Sequence, residues 1–162
     1  MDAVAELVSF PFYSWNHAVV VPKNHALASH ERISLEAIAE HPIITYHEGF
    51  TGRAKLDETF ARAGLAPDVV MSALDADVIK TYVELGLGVG IIASLAFNPA
   101  KDTALRLLDC GHIFEQNTTK IAVHKGHYLR GYAYRFIEQC SPALGEAVIR
   151  RAVAPAKDVD IE

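Results

Sequence analysis

The sequence predicts an α/β fold with a parallel sheet, and three observations carry that reading. Short apolar runs rich in valine and isoleucine alternate with segments of helical periodicity. Two of these runs end in turns of the same kind, at 47–53 and 72–75, each opening a helical segment. Between residues 69 and 94 a strand, a helix and a further strand follow one another without interruption, the pattern of a right-handed crossover.

That uninterrupted stretch organises the rest. Val69-Val70-Met71 reads as a strand, and Asp75 is placed to cap a helix in which Val78, Tyr82 and Leu85 recur at helical spacing. Gly86 closes the helix, and Val89 to Ile92 forms the next strand. Gly86, Gly88 and Gly90 are not a dinucleotide fingerprint, which needs its glycines after a strand and at the start of a helix. These close a helix and lead into a strand, so their reading is helix termination and close packing. Ligands of open α/β sheets sit where strands end and helices begin, which makes Ser72-Ala73-Leu74-Asp75 the first place to look for a site.

The other elements follow in order. Residues 5–12 form a short apolar strand that Pro11 is expected to end, and Ala18-Val19-Val20-Val21 is a buried strand stopped by Pro22. Ser34 caps a short helix with Leu35 and Ile38 inward, and Pro42 prevents its continuation. Ile43-Ile44-Thr45-Tyr46 is the next strand, followed by a turn and a helix carrying Leu56, Phe60 and Ala63 on one face, closed by Gly64. In that turn Thr51 reads as the N-cap, and Thr51, Gly52 and Arg53 together offer backbone N–H groups, a hydroxyl and a positive charge to a small anion. The plainer alternative has Thr51 only capping and Arg53 pointing to water. Leu105 to Leu108 reads as an edge strand and Thr118 to His124 as a further strand. Leu129, Tyr132, Ala133, Phe136, Ile137 and Cys140 make an amphipathic helical stripe, followed by a shorter helix over 143–153 and a solvated tail.

Composition narrows the function. With 15 Lys and Arg among 20 Asp and Glu, a net charge of −5 and 51% apolar residues in 162, the chain builds a core but lacks the clustered positive field of a nucleic-acid surface. No apolar run has the length of a membrane span and no secretion signal opens the chain, so the expected location is cytoplasmic. Cys110 and Cys140 match no CxxC pattern and read as reduced thiols. The eight histidines lack the convergent spacing of a metal site; His25, His30 and His41 read as loop residues. No nucleophile motif is present, and Asp75 and Asp77 are accounted for by capping, so neither catalytic residues nor an enzyme are expected.

Several stretches, taken together and in order, resemble the effector-binding region of LysR-type transcriptional regulators, in particular the CysB-like branch that regulates sulfur assimilation. They are Trp15-Asn16-His17, Pro42 to Tyr46, Gly49-Phe50-Thr51-Gly52-Arg53, the run from Asp75 to Gly90, and Thr118-Thr119-Lys120. The likeness runs from about Leu7 to Pro142, and the run from Asp75 to Gly90 is its most specific part.

The resemblance implies a periplasmic-binding-protein-like α/β fold with one complete Rossmann-like subdomain, residues 15–117, and part of another, residues 1–14 and 118–145. Residues 146–162 would be a C-terminal helix and tail. The family's helix-turn-helix domain and the opening half of its first subdomain have no counterpart in the sequence, so the chain reads as a fragment or the product of a late start, with DNA bound only through the missing domain. Exposed apolar area on the helix at 129–140 is then expected to favour self-association, a dimer of the fragment and a tetramer of the whole regulator. The implied function is sensing a small anionic or sulfur-related effector, of the sulfate, thiosulfate, adenylyl sulfate or O-acetylserine type, in a cleft between subdomains, with no cofactor, metal or membrane. The alternative is a solute-binding protein of the same fold. The residues the likeness places at the effector are Trp15, Thr45, Tyr46, Gly49, Phe50, Thr51, Gly52, Arg53, Ala73, Leu74 and Asp75. Leu74 departs from the pattern, standing where CysB has a hydroxyl-bearing residue, and leaves the effector's identity open.

Overall fold

The computed structural model describes residues 6–126 and 129–154; His127 and the tail from Pro155 lie outside the described residues. In chain order the elements are β1 (Leu7–Trp15), β2 (His17–Pro22), α1 (Leu35–Ala39), β3 (Ile43–Tyr46) and α2 (Thr51–Arg62). There follow β4 (Val69–Ala73), α3 (Ala76–Glu84), β5 (Val89–Ala93), β6 (Leu105–Asp109), β7 (Asn117–His124), α4 (Gly131–Cys140) and α5 (Glu146–Val153). The chain divides into two compact units, one spanning Ser14–Asn117 and the other formed by the described residues before and after it.

The central unit is a five-stranded sheet in the order β4-β3-β5-β2-β6. Only β3, β4 and β5 run parallel; β2 is antiparallel to both β5 and β6, so the sheet is mixed where alternation predicted a parallel one. β3 starts at the end of the sheet where β2 stops and runs the other way, Val20 and Ile44 both standing opposite Gly90 of β5.

Both faces of this sheet are covered. Val19, Val21, Ile43, Val89 and Ile91 pack with Ile38, Leu56 and Phe60 on one side, whereas Val20, Ile44 and Ile92 pack with Ile79 and Val83 of α3 on the other. Two-sided burial is why these strands read as unbroken β-branched runs. Two of the three clustered glycines are there for proximity. A Cβ at Gly90 would lie 2.6 Å from Val20 Cγ1 and 2.9 Å from Val83 Cγ2, and one at Gly88 would collide with the Pro42 carbonyl oxygen. Gly86 alone needs its backbone freedom, ending α3 at φ +78°.

In the flanking unit β1 and β7 form a two-stranded sheet, and Val123, Tyr134, Ile137, Leu144, Ile149 and Val153 make its core. Pro11 does not end β1, which continues to Trp15, because a strand with one open side tolerates a residue without an N–H. The face that α4 buries is centred on Tyr134 and Ile137, so part of the expected apolar stripe is left outside, with Tyr132 71% and Phe136 66% exposed. Cys110 and Cys140 are both free thiols, and burial pushes that of Cys110 up to about 12.

Candidate functional site

Strand pairing gathers the candidate residues of the central unit at one rim. Tyr46 and Ala73 end neighbouring parallel strands in register, and the His47 N–H donates to the Ala73 carbonyl at 3.0 Å, which sets the two strand-to-helix turns side by side. The end of β5 joins them through the Ala93 N–H, which donates to the Tyr46 hydroxyl oxygen at 3.2 Å. His17, at the start of β2, pairs with Ala93, so Trp15 and His17 reach the same rim. A hollow outside the carboxyl ends of parallel strands is where an open α/β sheet receives ligands.

The turn before α2 differs from expectation in two ways. Phe50, not Thr51, is the N-cap; Thr51 is the first helical residue, and its side chain lies outside the described residues. The His47 side chain, through Nδ1, accepts the Gly49 N–H at 3.2 Å, and its carbonyl accepts that of Phe50, which leaves Phe50 extended at the helix entrance. Because a phenyl ring accepts no hydrogen bond of this kind, the first amides of α2 receive no side-chain cap. Arg53 neither points to water nor reaches outward. It is 6% exposed, its Nη1 donating to the Tyr46 carbonyl at 2.9 Å and its Nε to Asp57 Oδ1 at 2.7 Å, so it fastens α2 to the end of β3. Gly52 is explained by its neighbours, since a Cβ there would stand 3.2 Å from His17 Nε2 and 3.3 Å from Trp15 Cη2.

The turn before α3 is built oppositely. Asp75 Oδ1 accepts the Asp77 N–H at 2.6 Å, so this helix start already carries its own carboxylate. The Arg53 N–H of α2 donates to the Phe50 carbonyl at 3.0 Å. What separates the two adjoining helix starts is the carboxylate at the start of α3, which disfavours an outside anion there. Ala73 is buried, whereas Leu74 is 72% exposed and Phe50 43%, an apolar lip on the rim. Thr45 is buried beneath, its hydroxyl donating to the Ile91 carbonyl at 2.9 Å, a role in holding strands together. Burial, aided by the Asp75 charge, raises the Tyr46 pKa against the opposing Ala93 N–H and Lys80, so its hydroxyl keeps a proton to donate.

Two residues of this region went unmarked in the sequence. His17 is 2% exposed, and its Nε2 is buried with no hydrogen-bond partner. An unmatched buried polar atom costs about 1–3 kcal/mol. Burial, with the nearby Lys55 charge adding to it, lowers its pKa to about 4, so the ring is neutral at pH 7. It packs edge-on between the rings of Trp15, 5.1 Å away, and Phe114, 5.8 Å away. The available signal was a histidine opening a β-branched run, where the strand pattern turns it inward. Lys80 is the other. Buried on α3, it donates to Asp102 Oδ2 at 3.0 Å and the Ala96 carbonyl at 3.0 Å, and pairs with Asp77 Oδ1 at 2.8 Å. Burial works to lower its pKa, yet the bonds to Asp77 and Asp102 prevail and raise it. A lysine four residues after an acid-rich helix start reads as surface, and only its partner 22 residues on makes it a buried pair. Among the described residues no group of three or more His, Cys, Asp or Glu is arranged to hold a metal, and no helix is long and apolar enough to cross a membrane.

Known proteins agree with this architecture. Residues 3–145 match the LysR substrate binding domain. The chain is 54% identical over 149 residues to the HTH-type transcriptional regulator SsuR of Burkholderia cenocepacia, covering 92% of this chain and 48% of that protein. It is 51% identical over 148 residues to CysB of the same organism, covering 91% and 47%. Thus it spans about half the length of the curated relatives it matches. Among solved structures, the cofactor-binding domain of the Cbl transcriptional regulator superposes with a TM-score of 0.85 at 43% identity, covering 91% of this chain and 65% of that one. The effector-binding domain of QuiR in complex with shikimate gives 0.75 at 18% identity, covering 88% and 68%, a likeness of fold. These relatives are transcriptional regulators and not enzymes, and the chain belongs to the LysR family, of which it carries the effector-binding domain of the SsuR, CysB and Cbl kind.

Proposed function

We propose that this chain is the sensor module of a LysR-type regulator of sulfur assimilation, and that it binds a small anionic, sulfur-related metabolite at the rim of its central sheet. The observation that carries the reading is the uncapped start of α2, set beside Trp15, Tyr46 and the α3 turn by the register of β3 with β4. Backbone amides and the positive end of a twelve-residue helix favour an oxyanion there. Phe50 and Leu74 on the lip favour a ligand that carries apolar atoms beside its charge, so an organic sulfur compound fits better than bare sulfate. Sulfate, thiosulfate, adenylyl sulfate and O-acetylserine are the effector types the reading admits. In the whole regulator, effector binding biases the arrangement of the oligomer and hence its grip on DNA through a separate helix-turn-helix domain.

Isothermal titration of the chain with these four compounds tests the reading. Saturable binding of at least one, weakened by Trp15→Ala, is the expected outcome. No heat from any of the four removes the proposed signal.

A further inference from the structure

We propose that His17 is a ligand-contacting residue of this site, donating from Nε2 to an oxygen of an oxyanion whose other oxygens are held by the first amides of α2. The inference rests on the sensor reading above and names the group that selects the ligand's charged end. Three observations lead to it.

The first is that Nε2 has no partner although the residue is 98% buried, since only 2% of its surface is exposed. Buried polar atoms in folded proteins are matched with few exceptions, and each exception calls for a reason. Packing supplies none here. The edge-on contacts with Trp15 and Phe114 would be made as well by a phenyl ring, which has no nitrogen to desolvate.

The second is direction. The nitrogen stands 3.2 Å from where a Cβ of Gly52 would be, and Gly52 is the second residue of α2. The orphan atom therefore lies beside the first turn of α2, the helix start of the rim that has no side-chain cap, whereas Asp75 caps the other. A side chain at position 52 would press on the imidazole and the indole together; glycine lets both stand close to the helix backbone.

The third is the cover. The Trp15 indole, half-buried, approaches the same point to 3.3 Å through Cη2. Its contact with His17 is a T-shaped ring pair, 5.1 Å between centroids. An oxyanion that reaches Nε2 displaces the indole edge from this point. The ligand class that satisfies the arrangement is an oxyanion with at least two accepting oxygens, one for the α2 amides and one for the imidazole. Sulfate, a sulfate ester, thiosulfate and an amino-acid carboxylate all have this end, and differ in what lies beyond it.

The test compares this chain with His17→Phe and His17→Gln, titrated calorimetrically with sulfate, thiosulfate, adenylyl sulfate and O-acetylserine. It is joined to the 15N chemical shift of the His17 ring before and after saturation. Whichever compound the unaltered chain binds should bind about tenfold or more weakly to His17→Phe. It should return to within about threefold with His17→Gln, whose amide NH2 replaces the lost donor. The melting temperature of His17→Phe should be unchanged or higher, and the Nε2 resonance should move on saturation. Unaltered affinity in His17→Phe, or an unmoved resonance, overturns the proposal. If His17→Phe does not fold, the resonance and His17→Gln decide it. Absence of binding by the unaltered chain is a different failure, that of the sensor reading, and takes this proposal with it.

Discussion

Replacing Lys80 by methionine keeps the length and apolar stem of the side chain and deletes the ammonium. The amine has three acceptors, of which Asp77 is 85% exposed and rehydrates when released. Asp102 cannot, because its side chain is 10% exposed and would retain only the Asn98 N–H at 2.7 Å. Breaking a buried ion pair by removing one partner costs about 3–5 kcal/mol. The pair lines a polar groove of about 350 Å³ with an open side, through which water can reach the carboxylate, so the expected loss is about 2–3 kcal/mol. Urea unfolding of the central unit, followed by the lone tryptophan, Trp15, should show the midpoint falling with the slope unchanged. The double variant Lys80→Met with Asp102→Asn should recover at least about 1 kcal/mol, since neither charge is then stranded. A loss under about 0.5 kcal/mol in Lys80→Met, or no recovery in the double variant, would refute the reasoning.

Three further outcomes follow. Folding lowers the His17 pKa from 6.5 to about 4, so between those values the unfolded chain binds the extra proton and stability falls as pH falls. The loss is about 2–4 kcal/mol across that window, and urea titrations at pH 7 and pH 4 should show it shrinking in His17→Phe. Gly90→Ala places a methyl 2.6 Å from Val20 Cγ1 with α3 behind it, and thermal melts should report a destabilisation of about 1–3 kcal/mol. Gly52→Ala asks Trp15 and His17 to give only a few tenths of an ångström, so stability should change by less than about 1 kcal/mol while titration shows effector binding weakened.

Much of this fold was written locally. The cap at Asp75, the spacing of Leu56 and Phe60, and the β-branched runs of β2, β3 and β5 each state their element without help from distant residues. Strand direction was not local: whether β2 runs with or against β3 depends on the path of the whole connection over residues 23–42 and on which strands pair at its ends. The site divides in the same way. Proximity of two glycine-bearing or acid-bearing turns followed from adjacent parallel strands, but their inequality did not, because it turns on whether a side chain oxygen sits at the cap. Arg53, Lys80 and His17 escaped for one reason, that a polar side chain reveals its partner only in three dimensions. Thr45 likewise spends its hydroxyl on Ile91, 46 residues away.

Amide chemical shifts of the 15N-labelled chain, followed while the bound member of the effector panel is added, measure the central claim most directly. Saturable shifts are expected to concentrate at Thr51 and Gly52, with smaller ones at Leu74 and Asp75, where a carboxylate already caps the helix. Saturable shifts gathered instead around Lys23 and Arg106, in the groove beside β6, with the start of α2 unmoved, would contradict it.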